Sequence, residues 1–110
     1  MTLRLGIVLP TYNERKNLRT MIARLDAALA GIGWEVIIVD DNSPDGTADE
    51  ARAIAQEDPR VRVIQRIGRR GLSSAAIEGM CATAAPAVAV MDADHQHDPA
   101  LLPQMLAAIE

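Results

Sequence analysis

Apolar residues gather along this chain in four short stretches, separated by segments in which they recur every third or fourth position. Leu3–Leu9, rich in apolar and β-branched residues and closed by Pro10, is predicted to be a buried strand ending in a loop. From about Glu14 to Leu29, the residues Leu18, Met21, Ile22, Leu25 and Leu29 trace one buried helical stripe that Gly31 and Gly33 end. Trp34–Val39 contains Val36-Ile37-Ile38-Val39, too continuous for a one-sided sheet and so expected to be covered on both faces. After the polar Asp40–Gly46, Thr47 and Glu50 have the spacing of a capping box opening a helix toward Glu57. Val61–Gln65 places Arg62 between two valines, the pattern of an edge strand with one wetter face. A loop over Arg66–Gly71, a helix over Leu72–Ala84 and a strand over Ala87–Met91 follow. Asp98-Pro99 then supplies an N-cap and first position for a last helix through Ile109. Four strand–loop–helix units in succession predict an α/β fold: a mostly parallel sheet with helices on both faces.

Composition narrows the functional classes. With 110 residues the chain fits one domain, which excludes a multidomain enzyme within it. Eleven Lys+Arg against 15 Asp+Glu leave a net charge of −4, without the basic excess that neutralises phosphates, so no nucleic-acid partner is expected. No apolar run approaches the roughly 20 residues that span a bilayer. Cys81, without a second cysteine and among apolar residues, is expected to be a buried thiol in a reducing, cytoplasmic setting. With 19 alanines and no phenylalanine, the core is expected to be thin, and Met80, Met91 and Met105 read as packing residues.

In parallel α/β sheets ligands bind beyond the carboxyl ends of the strands, where helix N-termini add positive partial charge. Three polar loops should meet at that rim: Pro10-Thr11-Tyr12-Asn13-Glu14, Asp40 to Thr47, and Asp92-Ala93-Asp94. Asp92 and Asp94, two apart at a strand end, can turn both carboxylates to one face and hold a hard cation with a diphosphate; two solvated loop acids are the alternative. Tyr12, the sole tyrosine, either stacks on a base or packs on the first helix. Glu14 is equally served by the dipole of that helix. Asp40 and Asp41 either cap and turn, or one of them meets a ribose, base edge or cation, which would account for two like charges side by side. Arg66, Arg69 and Arg70, around Gly68 and Gly71, form a flexible cationic segment able to approach a phosphate, or a solvated loop. His95 and His97 read as surface histidines, since hard cations prefer oxygen ligands.

Four ordered motifs resemble the family 2 glycosyltransferases: Leu9-Pro10-Thr11-Tyr12-Asn13-Glu14, Val39-Asp40-Asp41-Asn42-Ser43-Pro44-Asp45-Gly46-Thr47, Arg70-Gly71-Leu72-Ser73-Ser74-Ala75, and Met91-Asp92-Ala93-Asp94-His95-Gln96-His97. Within that family the likeness is to the dolichol-phosphate (polyprenol-phosphate) mannose synthases. The resemblance implies a Rossmann-like GT-A fold with strands in the order 3-2-1-4 and a nucleotide-sugar donor, GDP-mannose. Pro10, Tyr12, Glu14, Val39 and Asp41 would then surround the guanosine. Asp92, Ala93 and Asp94 would meet the ribose and diphosphate, and Asp94 with Gln96 would hold Mg²⁺ or Mn²⁺. The implied chemistry is attack of a polyprenyl phosphate oxygen on the anomeric carbon with inversion, at the cytoplasmic face of a membrane. In this family the acceptor pocket lies beyond the metal motif, so residues 1–110 are expected to be an N-terminal donor-binding part, truncated before the acceptor half. A non-catalytic nucleotide-sugar and metal-binding fragment, or a family 2 transferase with another sugar or acceptor, is the alternative. A phospho-acceptor receiver domain fits badly, because the paired acids follow the second strand and the only lysine is Lys16. No Gly-x-Gly-x-x-Gly follows the first strand, which disfavours a dinucleotide-binding fold. A fourth strand left at the sheet edge would invite self-association.

Overall fold

The computed structural model describes residues 2–68, 71–91 and 98–110. Its elements run β1 (Leu3–Thr11), α1 (Arg15–Ala28), β2 (Gly33–Asp40), α2 (Thr47–Glu57), β3 (Val61–Gln65), α3 (Leu72–Ala82) and β4 (Ala87–Val90). A 3₁₀ turn, Pro99–Leu101, then leads into α4 (Leu102–Ile109). The longest strands, β1 and β2, are the two central ones of a sheet ordered β3-β2-β1-β4, in which every neighbouring pair is parallel. This is the expected order, with β3 at one edge and β4 at the other.

Alternate residues of the central strands feed two separate cores. Leu5, Ile7 and Leu9 of β1, with Trp34, Val36 and Ile38 of β2, pack against Leu18, Met21 and Leu25 of α1, Ile54 of α2 and Leu102 and Leu106 of α4. Val8, Ile37 and Val39 point the other way, onto Ala75 and Ala82 of α3. Three helices thus cover one face and α3 covers the other. The second core is as thin as the composition predicts, because α3 presents small residues: a Cβ on Gly79 would lie 2.3 Å from Val8 Cγ1. The amino end of the sheet is closed by Arg60, whose guanidinium sits 4.2 Å from the Trp34 ring centroid and pairs with Asp58 and Asp26.

Several local expectations are corrected. β1 continues two residues past Leu9, with Pro10 and Thr11 opposite Val39 and Asp40. Pro10 is tolerated there because it shares the parity of Val8, whose carbonyl accepts from Met91 N–H; its missing donor faces the β4 side, past the last β1–β4 pair, Val8–Val90. Thr47 and Glu50 form no capping box. The N-cap of α2 is Gly46 at φ 86°, and the Glu50 carboxylate pairs with Arg19 instead. α3 ends at Ala82, and because its inward stripe runs through Ala75, Gly79 and Ala82, Met80 and Cys81 turn outward and are exposed. Met105 is exposed as well, whereas Met91 is buried. Asp98 accepts from Ala100 N–H and Pro99 opens the 3₁₀ turn, as the sequence predicts. Among the described residues no helix is long and apolar enough to cross a membrane.

Candidate functional site

The rim at the carboxyl ends of β1 and β2 is organised by two adjacent acids that do different work. Asp40 is fully buried. Its Oδ1 accepts from the Thr11 hydroxyl at 2.9 Å and the Ser43 hydroxyl at 2.6 Å, and its Oδ2 from Ser43 N–H at 2.9 Å. These donors stabilise the carboxylate without any ligand. The loop after β2 then caps α1: Asn13 N–H donates to Ser43 Oγ at 2.8 Å, Glu14 N–H to Thr47 Oγ1 at 3.0 Å and Arg15 N–H to Asp45 Oδ2 at 3.3 Å. Amide donors of a helix start, ordinarily met by a local cap residue, are met here from a neighbouring loop. Burial alone would raise the Asp45 carboxyl, but the Thr47 hydroxyl and the N–H groups of Arg15 and Thr47 hold it below its ordinary value.

Asp41 turns outward. Its backbone N–H donates to Thr11 O at 3.1 Å, and its carboxylate accepts from Arg66 Nε at 2.7 Å, Arg66 Nη2 at 3.4 Å and Gly71 N–H at 3.1 Å. The same carboxylate forms one wall of a pocket of about 160 Å³, with Pro10, Thr11, Tyr12 and Ala75 as the others. Tyr12 is 44% exposed at its mouth. Pro10, Tyr12 and Asp41 are therefore brought together. Glu14 sits beside them without lining the pocket, its Oε2 accepting from Asn17 Nδ2 at 2.9 Å. Val39 is fully buried against Val8 and Ile37, so its side chain lies beneath the pocket and only its backbone can reach the rim. Asp92, Ala93, Asp94, His95, Gln96, His97, Arg69 and Arg70 lie outside the described residues. Among the described residues no three His, Cys, Asp or Glu side chains group as a metal site.

Arg66 departs most from expectation. It is not part of a mobile cationic loop: its side chain is 0% exposed, and beyond Asp41 it donates to Ser74 Oγ at 2.9 Å and Gly71 O at 3.3 Å. Its backbone N–H donates to Asp40 O at 2.7 Å, extending the β2–β3 ladder by one residue. The available signal was its place directly behind Gln65, where a strand end fixes the direction of the next side chain. Thr11 and Ala75 also line the pocket without having been singled out, the first through the unexpected extension of β1. A larger groove of about 570 Å³ runs along β4 and α4, but Val88, Val90, Leu101 and Met105 make it apolar, and the polar chemistry is at the smaller pocket.

A parallel 3-2-1-4 sheet with an acid-walled pocket at the carboxyl ends of its central strands is the nucleotide-binding architecture of a GT-A fold. The family description "Glycosyl transferase family 2" matches residues 6–110, and the chain belongs to that family. It is 42% identical over 108 residues to a dolichol-phosphate mannosyltransferase of Pyrococcus furiosus, covering 98% of this chain and 30% of that protein. It is 35% identical to the dolichol-phosphate mannosyltransferase of Saccharomyces cerevisiae, covering 99% and 42%. An undecaprenyl-phosphate mannosyltransferase of Micrococcus luteus is 39% identical, with 97% and 44% covered. Among solved structures it resembles a mannosyltransferase of Pyrobaculum calidifontis in complex with GDP-Man and Mn²⁺, with TM-score 0.70 and 26% identity over 83% of this chain and 27% of that one. The chain thus spans less than half the length of each of these relatives.

Proposed function

We propose that this chain is the donor-binding part of a glycosyltransferase that moves mannose from GDP-mannose to a polyprenyl phosphate, with inversion at the anomeric carbon. The observation that carries the reading is the pocket of Pro10, Tyr12 and Asp41 at the rim of a chain 35–42% identical, over nearly its whole length, to lipid-phosphate mannosyltransferases. In this reading the Tyr12 ring stacks on the base and the Asp41 carboxylate accepts from it. Glu14 and the Val39 backbone border the nucleoside, and Asp92, Ala93 and Asp94 meet the ribose and diphosphate. Asp94 and Gln96 offer carboxylate and amide oxygens, a donor set suited to Mg²⁺ or Mn²⁺. When bound, the cation supplies positive charge against the departing diphosphate. The acceptor phosphate is already ionised, so no side chain of this chain is needed to deprotonate it; what its residues do is bind and orient the donor.

The lipid-phosphate groups of the acceptor site are assigned to chain beyond the matched region, since more than half of each relative lies there. In this reading a lipid-phosphate acceptor supports a reaction at a membrane surface, taken here as its cytoplasmic face. A second reading is a non-catalytic nucleotide-sugar and metal-binding part, because the residues named above bind and orient a donor and none of them is assigned a bond-breaking role. Calorimetric titration of GDP and GDP-mannose with Mn²⁺ tests what both share, and absence of heat at millimolar ligand would sink both. Transfer of mannose to a polyprenyl phosphate by this chain alone would reject the non-catalytic reading.

A further inference from the structure

We infer that Arg66 is the positioning residue that sets base selectivity in the pocket, acting through Asp41. The inference rests on the nucleotide reading above. A carboxylate offers about four acceptor directions. Among the described residues three donors already approach Asp41: Arg66 Nε at 2.7 Å on Oδ1, and Arg66 Nη2 at 3.4 Å with Gly71 N–H at 3.1 Å on Oδ2. Against those described donors, acceptor capacity for about one further donor remains toward the pocket, on a carboxylate that Arg66 holds in orientation. Arg66 is itself anchored, with Nη1 on Ser74 Oγ at 2.9 Å and 3.7 Å from Glu78 Oε2, Nη2 on Gly71 O at 3.3 Å, and its side chain sealed from solvent. A planar fork with this many fixed partners holds a carboxylate in one orientation, which a point charge on a flexible stem does not.

Guanine and uracil set a ring N–H toward such an oxygen; adenine and cytosine set a ring nitrogen acceptor there beside their amino group. An acceptor oxygen of Asp41 locked in this direction therefore favours the first pair and disfavours the ring nitrogen of the second. Were Asp41 released from Arg66, it could rotate to meet the amino group of adenine or cytosine, and selectivity would fall. Arg66 touches no ligand in this arrangement; it decides which face of Asp41 a ligand meets.

The test is calorimetric titration of the full chain with GDP, UDP, ADP and CDP in Mn²⁺. The wild type should prefer GDP and UDP by about tenfold or more, the size of one hydrogen bond to a charged group. Arg66→Gln should reduce that preference to within about threefold, and Arg66→Lys should restore only part of it. In an Asp41→Asn background Arg66→Gln should no longer change the preference, a coupling that a merely structural role would not produce. Thermal melts accompany each variant. If Arg66→Gln does not fold, Ser74→Ala, which removes one anchor of the guanidinium, should give an intermediate preference. Folded Arg66→Gln with wild-type preference would overturn the inference, as would Arg66→Lys and Ser74→Ala that both discriminate like wild type. A wild type that binds all four nucleotides equally would overturn it and leave the nucleotide reading standing; a wild type that binds none would overturn that reading first.

Discussion

At the rim of the sheet, one residue in the sequence separates a structural acid from a pocket acid. Asp40, the last residue of β2, points inward to Thr11 and Ser43, and Asp41, one residue on, points to the pocket and Arg66. The adjacency of two carboxylates is legible in the sequence, but their division of labour is not, because it depends on donors supplied from β1 and from the segment after β3. Tyr12 gives the residue-scale prediction. Tyr12 stands 44% exposed at the mouth of the pocket, and stacking on a base is worth about 1–3 kcal/mol. Tyr12→Ala should weaken GDP binding by about tenfold or more with the melting temperature within a degree or two of wild type, and Tyr12→Phe should keep most of the affinity. Equal GDP affinity for Tyr12→Ala and wild type, measured calorimetrically, would remove the stacking role.

Between elements, stability and site geometry meet in the loop after β2. Thr47 is buried, its Oγ1 accepts from Glu14 N–H, and its hydroxyl donates to Asp45. Thr47→Val keeps the shape and removes both bonds. It should lower unfolding stability by about 1–2 kcal/mol in urea denaturation and weaken GDP binding, because Tyr12 precedes the helix start that Thr47 holds. Gly79→Ala attacks the other core. Its methyl would meet Val8 at 2.3 Å, so overpacking of about 1–3 kcal/mol is expected in the same assay. Acid should act through two loop carboxylates held below their ordinary value of 3.8: Asp58 by its hydrogen bonds from Arg60, and Asp45 by Thr47 and Arg15 despite burial. Folded values below unfolded ones mean that their contribution is present above about pH 3.8 and is lost as pH falls through the lower folded values. Thermal melts should therefore hold steady down to about pH 4 with respect to these groups and decline below it, more shallowly in Asp58→Asn. The elements themselves were readable because β1 and β2 carry the aliphatic runs Ile7–Leu9 and Val36–Val39 and α1 keeps a strict stripe. Reading failed where tertiary donors replaced local ones, as with Thr47 and Glu50, and where small residues rather than large ones defined an inward face. On α3, Ala75, Gly79 and Ala82 outcompete Met80 and Cys81 for the sheet, because only they allow the close approach to Val8.

Across the molecule the two edges of the sheet are unequal. β3 carries Arg62, which pairs with Glu35 and donates to Ala82 O, so that edge is bordered by charge. β4 carries alanine and valine, with Val88 38% and Val90 42% exposed, and the flanking Leu101 and Met105 extend the same apolar surface. An uncharged strand with open backbone groups is a template for another strand. Among the described residues nothing pairs with its outer side. We propose that a second copy does so, about a two-fold axis normal to the sheet that sets the two β4 strands antiparallel. Four residues of strand bury too little alone for a stable dimer, which needs about 800 Å² from each partner, so the groove at Leu101 and Met105 has to join the contact. The base pocket at Tyr12 and Asp41 stands at the carboxyl ends of β1 and β2, whereas Asp92 to Asp94, read above as ribose and diphosphate contacts, follow β4 directly in sequence, so the edge contact is tested by mass rather than by nucleotide binding. Light scattering on the chain at tens of micromolar should give a dimer mass, and Val88→Lys, in the middle of β4, should give a monomer. A wild-type monomer at that concentration would refute the edge contact, as would a folded Val88→Lys chain that stays dimeric.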